Sequence, residues 1–181
     1  GSNYQPQALY RVARLIARFE RWRQGPLGKS ALIDFLSFGS FNKAFKPNRT
    51  AFDWLSRDPQ EVDRYVADPL CGFRCSNQLW VDLLGGLADI TPPTHLRQID
   101  AGLPLLVIGG ERDPVSQGRR LGDLADALRG AGLRQVTLKT YPEARHELFN
   151  ESNRDAVTQD LIDWLEQALR HRRDHSTKER T

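Results

Sequence analysis

Two side chains that can exchange protons occupy equivalent places in this sequence. Asp113 lies in the loop G-G-E-R-D-P and His146 in the loop Y-P-E-A-R-H-E, and each loop directly follows a segment with strand character. The carboxyl ends of parallel strands meet at one edge of a sheet, so we expect the two side chains to lie together. An aspartate there can hold the Nδ1 proton of a histidine, which directs Nε2 toward a nucleophile. The pair predicts the acid and the base of a catalytic triad.

Each of the two residues also has a simpler interpretation. An aspartate before proline often forms a turn, and Asp113 is followed by Pro114. A single histidine in a loop is more often a surface residue than a base. The matching positions in two strand-end loops, 33 residues apart, are harder to explain by chance. The spacing alone leaves the catalytic and the structural interpretation evenly balanced.

The segments around these loops predict a β-α-β-α unit. Residues 105–108 are apolar without alternation, which is typical of a strand covered on both faces, and residues 136–141 predict a second strand. Apolar residues at helical spacing predict helices from about Ser116 to Arg129 and from Ser152 to Leu169. The right-handed crossover makes the two strands parallel. Two strands cannot cover the first one on both faces, so most of the expected sheet is absent from these residues.

The first hundred residues have a helical and aromatic character instead. A helix is predicted over residues 7–23, ended by Gly25-Pro26, with an apolar stripe of Leu9, Val12, Ala13, Ile16 and Phe19. Its many arginines fit either an ordinary packed helix with a solvated basic face or a transient contact with a membrane surface. Residues 32–54 are rich in Phe and Trp, which indicates short helices and loops around an apolar lining.

Capping signals place two more helices in this region. Asp58 predicts the start of a helix, with Pro59 in the first turn and Glu61 completing a capping box. Ser76 predicts the start of another, which is expected to run to Leu84 and to end at Gly85-Gly86.

Composition and charge exclude several classes of function. The 181 residues carry a net charge of +3, and residues 170–181 alone account for it, so we interpret the basic pI as a disordered basic tail (171–181) and expect no nucleic-acid partner. The isolated pair Cys71 and Cys75 lacks the further ligands of a zinc site, and we expect neither a metal nor a cofactor. No signal peptide or apolar run of membrane-spanning length is visible, which favours a cytoplasmic location.

Three segments of this sequence resemble one family. They are I-G-G-E-R-D-P-V at 108–115, Y-P-E-A-R-H-E-L-F-N-E at 141–151 and the lid-like F-N-K-A-F-K-P-N-R-T-A-F-D-W-L-S-R-D at 41–58. The chain resembles the serine aminopeptidase/monoacylglycerol lipase (lysophospholipase-like) branch of the α/β-hydrolase superfamily. The resemblance implies an α/β fold, the three-layer, mostly parallel α/β-hydrolase sheet. This chain would contribute a helical lid (1–100) and the last strand-helix units of the core (101–170).

The same resemblance implies a serine hydrolase that cleaves carboxylic esters such as monoacylglycerols or lysophospholipids. Asp113 corresponds to the triad acid and His146 to the triad base. The sequence departs from the family in one respect, since no G-x-S-x-G pentapeptide occurs in it. We therefore expect the nucleophile on an N-terminal half of the core outside this chain, as a required partner, with no activity for these residues alone.

Two other functions remain open from the sequence. One is aminopeptidase activity on the same fold, because lid shape rather than the triad selects the substrate. The other is a non-catalytic lid-and-half-core fragment that binds a partner through an uncovered sheet edge. A dinucleotide-binding domain is less consistent with the sequence, since Gly109-Gly110 follows a strand but no G-x-G-x-x-G is present.

Overall fold

The computed structural model describes residues 4–117 and 119–178, with side chains up to residue 170. The chain forms seven helices and two strands over this part: α1 Gln7–Gln24, α2 Ala31–Phe38, α3 Pro59–Ala67, α4 Asn77–Ile90, α5 Pro93–Leu96, β1 Leu105–Gly110, α6 Arg120–Gly130, β2 Val136–Tyr141 and α7 Arg154–Lys178. Two short 3₁₀ turns lie at Phe41–Phe45 and Leu148–Asn150.

The predicted β-α-β-α unit is confirmed. Strands β1 and β2 pair in parallel, with Leu105 opposite Val136 and Gly110 opposite Tyr141, and they form a two-stranded sheet within the described residues. Helix α6 packs onto the sheet through Leu121 and Leu128, which are buried against Val107. An apolar helix face between two parallel strands covers the sheet and fixes both strands in register.

Helix α6 begins at Arg120, four residues later than the expected start at Ser116. The chain makes a turn first: the Val115 amide donates to Asp113 Oδ1 at 2.9 Å, and the Gln117 amide donates to the Asp113 carbonyl at 3.0 Å. Ser116 is fully buried in this turn. Aspartate side chains compete with helical hydrogen bonds in this way, so the turn that shapes Asp113 delays the helix.

Helix α1 packs against α4 with a different face from the one that its sequence indicates. The buried positions are Tyr10, Ala17 and Glu20, whereas Leu9 and Phe19 of the predicted stripe are 51% and 54% exposed. The helix has more than one apolar face, and the small Ala17 allows the closer approach to α4. The interpretation of α1 as a membrane-surface helix stays a prediction. Within the described residues, none of the helices has both the length and the apolar character of a membrane span.

Helix α4 does not end at Gly85-Gly86 but continues to Ile90. A Cβ atom at Gly85 would lie 2.8 Å from the Arg14 guanidinium carbon. The glycine therefore leaves room for the Arg14 side chain of α1 against the α4 backbone. Asp58 caps α3 as predicted, accepting from the Gln60 amide at 2.9 Å.

The predicted capping box at α3 is wrong in its second half. The amide of Asp58 donates to Ser56 Oγ at 2.9 Å rather than to Glu61. Glu61 instead pairs with Arg64 and with Arg154 of α7. An ion pair to α7 replaces the local cap, so Glu61 joins α3 to α7.

Helix α7 extends to Lys178, so its helical backbone includes residues 171–178. The disorder expected for the basic tail (171–181) stays a prediction. Residues 179–181 of the predicted tail lie outside the described residues.

A buried polar cluster joins α1, α2 and α4. Asn77 is fully buried; its side-chain oxygen accepts from the Ser30 amide at 3.2 Å, and its Nδ2 donates to the carbonyls of Glu20 and Gly25. Ser30 Oγ donates to the Glu20 carboxylate at 2.6 Å. Hydrogen bonds from Arg23 and then from Ser30 hold the pKa of Glu20 below its ordinary value.

We expect Asn77→Ala to lower the free energy of unfolding strongly, because Asn77 joins α1, α2 and α4. The substitution leaves one buried amide and two carbonyls without their side-chain partner, and each unsatisfied buried group costs about 1–3 kcal/mol. Urea denaturation should show a loss of at least about 2 kcal/mol in unfolding free energy. The neighbouring Gln78→Ala, which removes an exposed hydrogen bond to Asp82, should change it by less than about 0.5 kcal/mol. Equal effects of the two changes would contradict the assignment.

Candidate active site

Asp113 and His146 lie side by side at the carboxyl edge of the sheet. His146 Nδ1 is 3.1 Å from Asp113 Oδ1, and a carboxylate can only accept, so the ring nitrogen is the donor. The Asp113 side chain is fully buried, whereas that of His146 is 23% exposed. The structure thus brings together the two residues that the sequence predicted as a pair, with one imidazole nitrogen engaged and the ring partly accessible.

Two opposing effects act on the Asp113 carboxyl group. Burial raises its pKa, but the hydrogen bond and charge of His146, together with the Val115 amide, outweigh burial and hold the pKa below its ordinary value. The other oxygen, Oδ2, is buried and accepts no hydrogen bond from the described residues. Asp113 is therefore ionised over the neutral pH range and acts as an acceptor for His146.

The lowered pKa of Asp113 makes folding stability depend on pH with a definite sign. The ionised group stabilises the fold fully above the ordinary aspartate pKa of about 4, and this stabilisation is lost as the pH falls through the lowered pKa. We expect the unfolding free energy of Asp113→Asn to fall less than that of the wild type between about pH 6 and about pH 3. Urea denaturation across this range measures the difference.

The matched control is Asp126→Asn, since the Asp126 side chain is 78% exposed in its pair with Arg129. This variant should follow the wild-type dependence on pH, because exposed ion pairs contribute little to stability. The same acid dependence in Asp113→Asn and the wild type would show that Asp113 does not contribute through its charge.

Glycine at the end of β1 lets the two site loops touch. A Cβ atom at Gly110 would lie 2.2 Å from the carbonyl oxygen of Ala144 and 2.3 Å from that of Arg145. The Arg112 amide donates to the same Ala144 carbonyl at 3.0 Å. A side chain at position 110 would thus push against the backbone next to His146. The sequence showed Gly109-Gly110 but gave no sign that its role is this approach between loops.

We expect Gly110→Ala to destabilise the protein and to disturb the pairing of Asp113 with His146. The new methyl group meets backbone atoms, which cannot rotate away, and such overpacking costs about 1–3 kcal/mol. Gly122→Ala in α6 meets no atom within 4 Å and should instead stabilise by up to about 1 kcal/mol. Thermal and urea denaturation of both variants test this, and a Gly110→Ala variant of wild-type stability would refute the close approach.

Aromatic side chains of the region before residue 100 pack next to His146. The Trp54 ring centroid lies 5.1 Å from that of His146, and Trp54 also contacts Phe38 and Phe41. Phe38 in turn contacts Trp80 of α4. The sequence indicated an apolar lining in this region but did not single out Trp54, because the Phe-rich pattern fits core packing equally well.

A cavity of about 320 Å³ opens beside the imidazole. It is lined by His146, by Ile108 of β1 and by residues 147–150 of the following loop. Cys71 and Cys75 are free and half-buried, and the described residues contain no group of three or more potential metal-binding side chains. The chemistry available at this site is therefore that of an imidazole oriented by a carboxylate, next to a partly apolar cavity.

Comparison with known proteins assigns the chain to a family. Residues 2–153 match the family described as serine aminopeptidase, S33. The chain belongs to this serine hydrolase family. The match includes both Asp113 and His146, so the resemblance carried by residues 41–58, 108–115 and 141–151 is confirmed at the level of the family.

One curated relative and several solved structures are also similar to this chain. A monoacylglycerol lipase of Mycolicibacterium smegmatis is 32% identical over 116 residues, which are 62% of this chain and 38% of the relative. A thermostable carboxyl esterase from Bacillus coagulans, solved with glycerol, superposes with a TM-score of 0.76 at 21% identity, over 88% of this chain and 52% of its own. A lipase in an open form gives a TM-score of 0.74 at 19% identity, over 91% and 54%.

These structures share the α/β-hydrolase fold, so the predicted fold class is confirmed. The chain spans about half the length of these solved structures and less of the curated relative.

Proposed function

We propose that residues 1–181 supply the acid and the base of a serine hydrolase that cleaves carboxylic esters of the monoacylglycerol type. The observation that carries the proposal is the hydrogen bond between His146 Nδ1 and buried, ionised Asp113 at the carboxyl edge of two parallel strands. Membership of the serine aminopeptidase, S33 family supports the same chemistry. The nucleophilic serine belongs to sequence outside these residues, since they contain no G-x-S-x-G.

The proposed reaction has two steps that share one imidazole. His146 Nε2 takes the proton of the serine hydroxyl as its oxygen attacks the ester carbonyl, and the same proton then passes to the leaving alcohol. In the second step His146 takes a proton from water, which attacks the acyl-enzyme and releases the fatty acid and the free serine. Asp113 keeps the Nδ1 proton in place and stabilises the imidazolium in both steps.

The choice of an ester with a long acyl chain is supported by the surroundings of His146. Lipid tails require apolar walls with few polar groups, and Trp54, Phe38 and Phe41 form an aromatic cluster next to the imidazole. The relative named monoacylglycerol lipase favours the same substrate class. Peptide substrates are the second candidate, because the matched family is described as serine aminopeptidase.

We expect His146→Ala to lower kcat for monoacylglycerol hydrolysis in the complete natural protein by at least about four orders of magnitude, because triad members act as a unit. Asp113→Asn should lower it by about four orders through loss of the productive tautomer. Release of fatty acid is measured by titration, and labelling with a fluorophosphonate reports the reactive serine. An aminoacyl anilide offered to the same protein separates the ester from the peptide substrate.

The matched control is His95→Ala, which removes an exposed histidine in α5 and should leave kcat unchanged. Wild-type turnover by His146→Ala would show that another group is the base. Faster cleavage of the anilide than of the ester would reject the monoacylglycerol assignment in favour of the peptidase.

A further inference from the structure

The loop that carries His146 closes around a fully buried carboxylate. The Glu151 side chain has 0% exposure. Its Oε1 accepts from the Arg145 amide at 2.7 Å and from the Arg57 amide at 3.2 Å. Its Oε2 accepts from Arg57 Nε at 2.7 Å and from the Ser152 amide at 3.2 Å. One carboxylate thus binds donors from two segments that lie 94 residues apart in sequence.

The segment that contains Arg57, residues 53–57, is the anchor segment. It also holds the other neighbour of His146, because the Glu147 amide donates to the Leu55 carbonyl at 2.8 Å. Ser56 Oγ donates to the Asn150 carbonyl at 2.7 Å. The backbone amides on both sides of His146 are therefore fixed, one by Glu151 and one by the anchor segment.

Arg145 reinforces the same contact from its side chain. The guanidinium donates to the carbonyl of Ser56 at 3.0 Å and to that of Asp53. It also lies 4.2 Å from the ring centroid of Phe45. The anchor segment is held in turn by the Asp53 carboxylate, which accepts from the amides of Arg49 and Thr50.

Burial of a carboxylate is expensive unless several donors compensate for its lost hydration. Such a group therefore gains little stability over an apolar side chain, but it tolerates few alternative geometries, because any displacement leaves a charge without its partners. Glu151 has four such donors: the amide of Arg145 beside His146, the amide and Nε of Arg57, and the amide of Ser152. This arrangement is suited to holding a side chain in one position rather than to adding stability.

We propose that Glu151 is a positioning residue for His146. Together with Arg57 it fixes the loop that carries His146 against the anchor segment, and this holds the imidazole at hydrogen-bonding distance from Asp113. Residues of the anchor segment then help to hold the base in position as well as covering the site. The expected effect on turnover rests on the proposed function, whereas the expected effect on the pairing of His146 with Asp113 does not.

The test replaces Glu151 by glutamine and, separately, Arg57 by glutamine in the complete natural protein. Glu151→Gln keeps the shape of the side chain but places a donor NH₂ group opposite the N–H donors of Arg57 or Arg145. The first readout is the downfield ¹H resonance of the His146 Nδ1–H bonded to the Asp113 carboxylate, assigned by its disappearance in His146→Ala. The second readout is kcat and KM for monoacylglycerol hydrolysis.

We expect both variants to lose or broaden this resonance at a temperature where circular dichroism shows them folded. A displacement of about 1 Å costs about 100-fold in rate, so kcat should fall by about 100-fold while KM changes little, because acyl-chain contacts are kept. Arg57 is 29% exposed in its side chain, so its replacement tests the proposal even where Glu151→Gln does not fold.

The matched control is Arg154→Gln. Arg154 also joins the lid to the core, but its guanidinium pairs with Asp58 and Glu61 rather than with Glu151. It should keep the resonance and the wild-type kcat. An unchanged resonance in Arg57→Gln, with a kcat no lower than that of Arg154→Gln, would overturn the positioning role. Absence of hydrolysis in the wild type, with the resonance present there and lost in Arg57→Gln, would instead reject the proposed function and support the positioning role.

Discussion

The parallel pairing of β1 with β2 is the constraint on which the rest of the site depends. Because Gly110 lies opposite Tyr141, the two loops that follow start at the same edge of the sheet. Their contact is tight, since the glycine leaves room for the backbone that precedes His146. A shift of the register by one residue would turn Asp113 and His146 away from each other. Helix α6 holds this register by covering the strands with Leu121 and Leu128.

Two buried carboxylates, Glu20 and Glu151, join other segments of the chain to one another. Glu20 joins α1 to the start of α2 through Arg23 and Ser30, and Glu151 joins the histidine loop to the anchor segment. In each case an interior charge is matched by several donors from different parts of the chain. Such clusters favour one arrangement over its competitors more than they raise stability. They give residues 4–100 defined points of attachment, although this region keeps large exposed apolar side chains, such as Trp22 at 80%.

The anchor segment and the loop that carries His146 hold each other in place. Trp54 lies against the imidazole ring, and its neighbours in the anchor segment bond to that loop. The polar contacts reach both residues that flank His146, since Arg145 donates to Ser56 and Glu147 donates to Leu55.

Both strands, most of the longer helices and the pairing of Asp113 with His146 could be predicted from the sequence. Strand character, helix periodicity and the capping signal of Asp58 depend on local preferences, and Asp113 and His146 follow from the rule that parallel strands share an edge. Tertiary contacts set which face of α1 is buried and where Glu61 finds its partner. They also place Trp54 and Glu151 next to His146. These contacts join segments far apart in the chain, and a helical pattern records which residues are apolar but not which neighbour each of them meets.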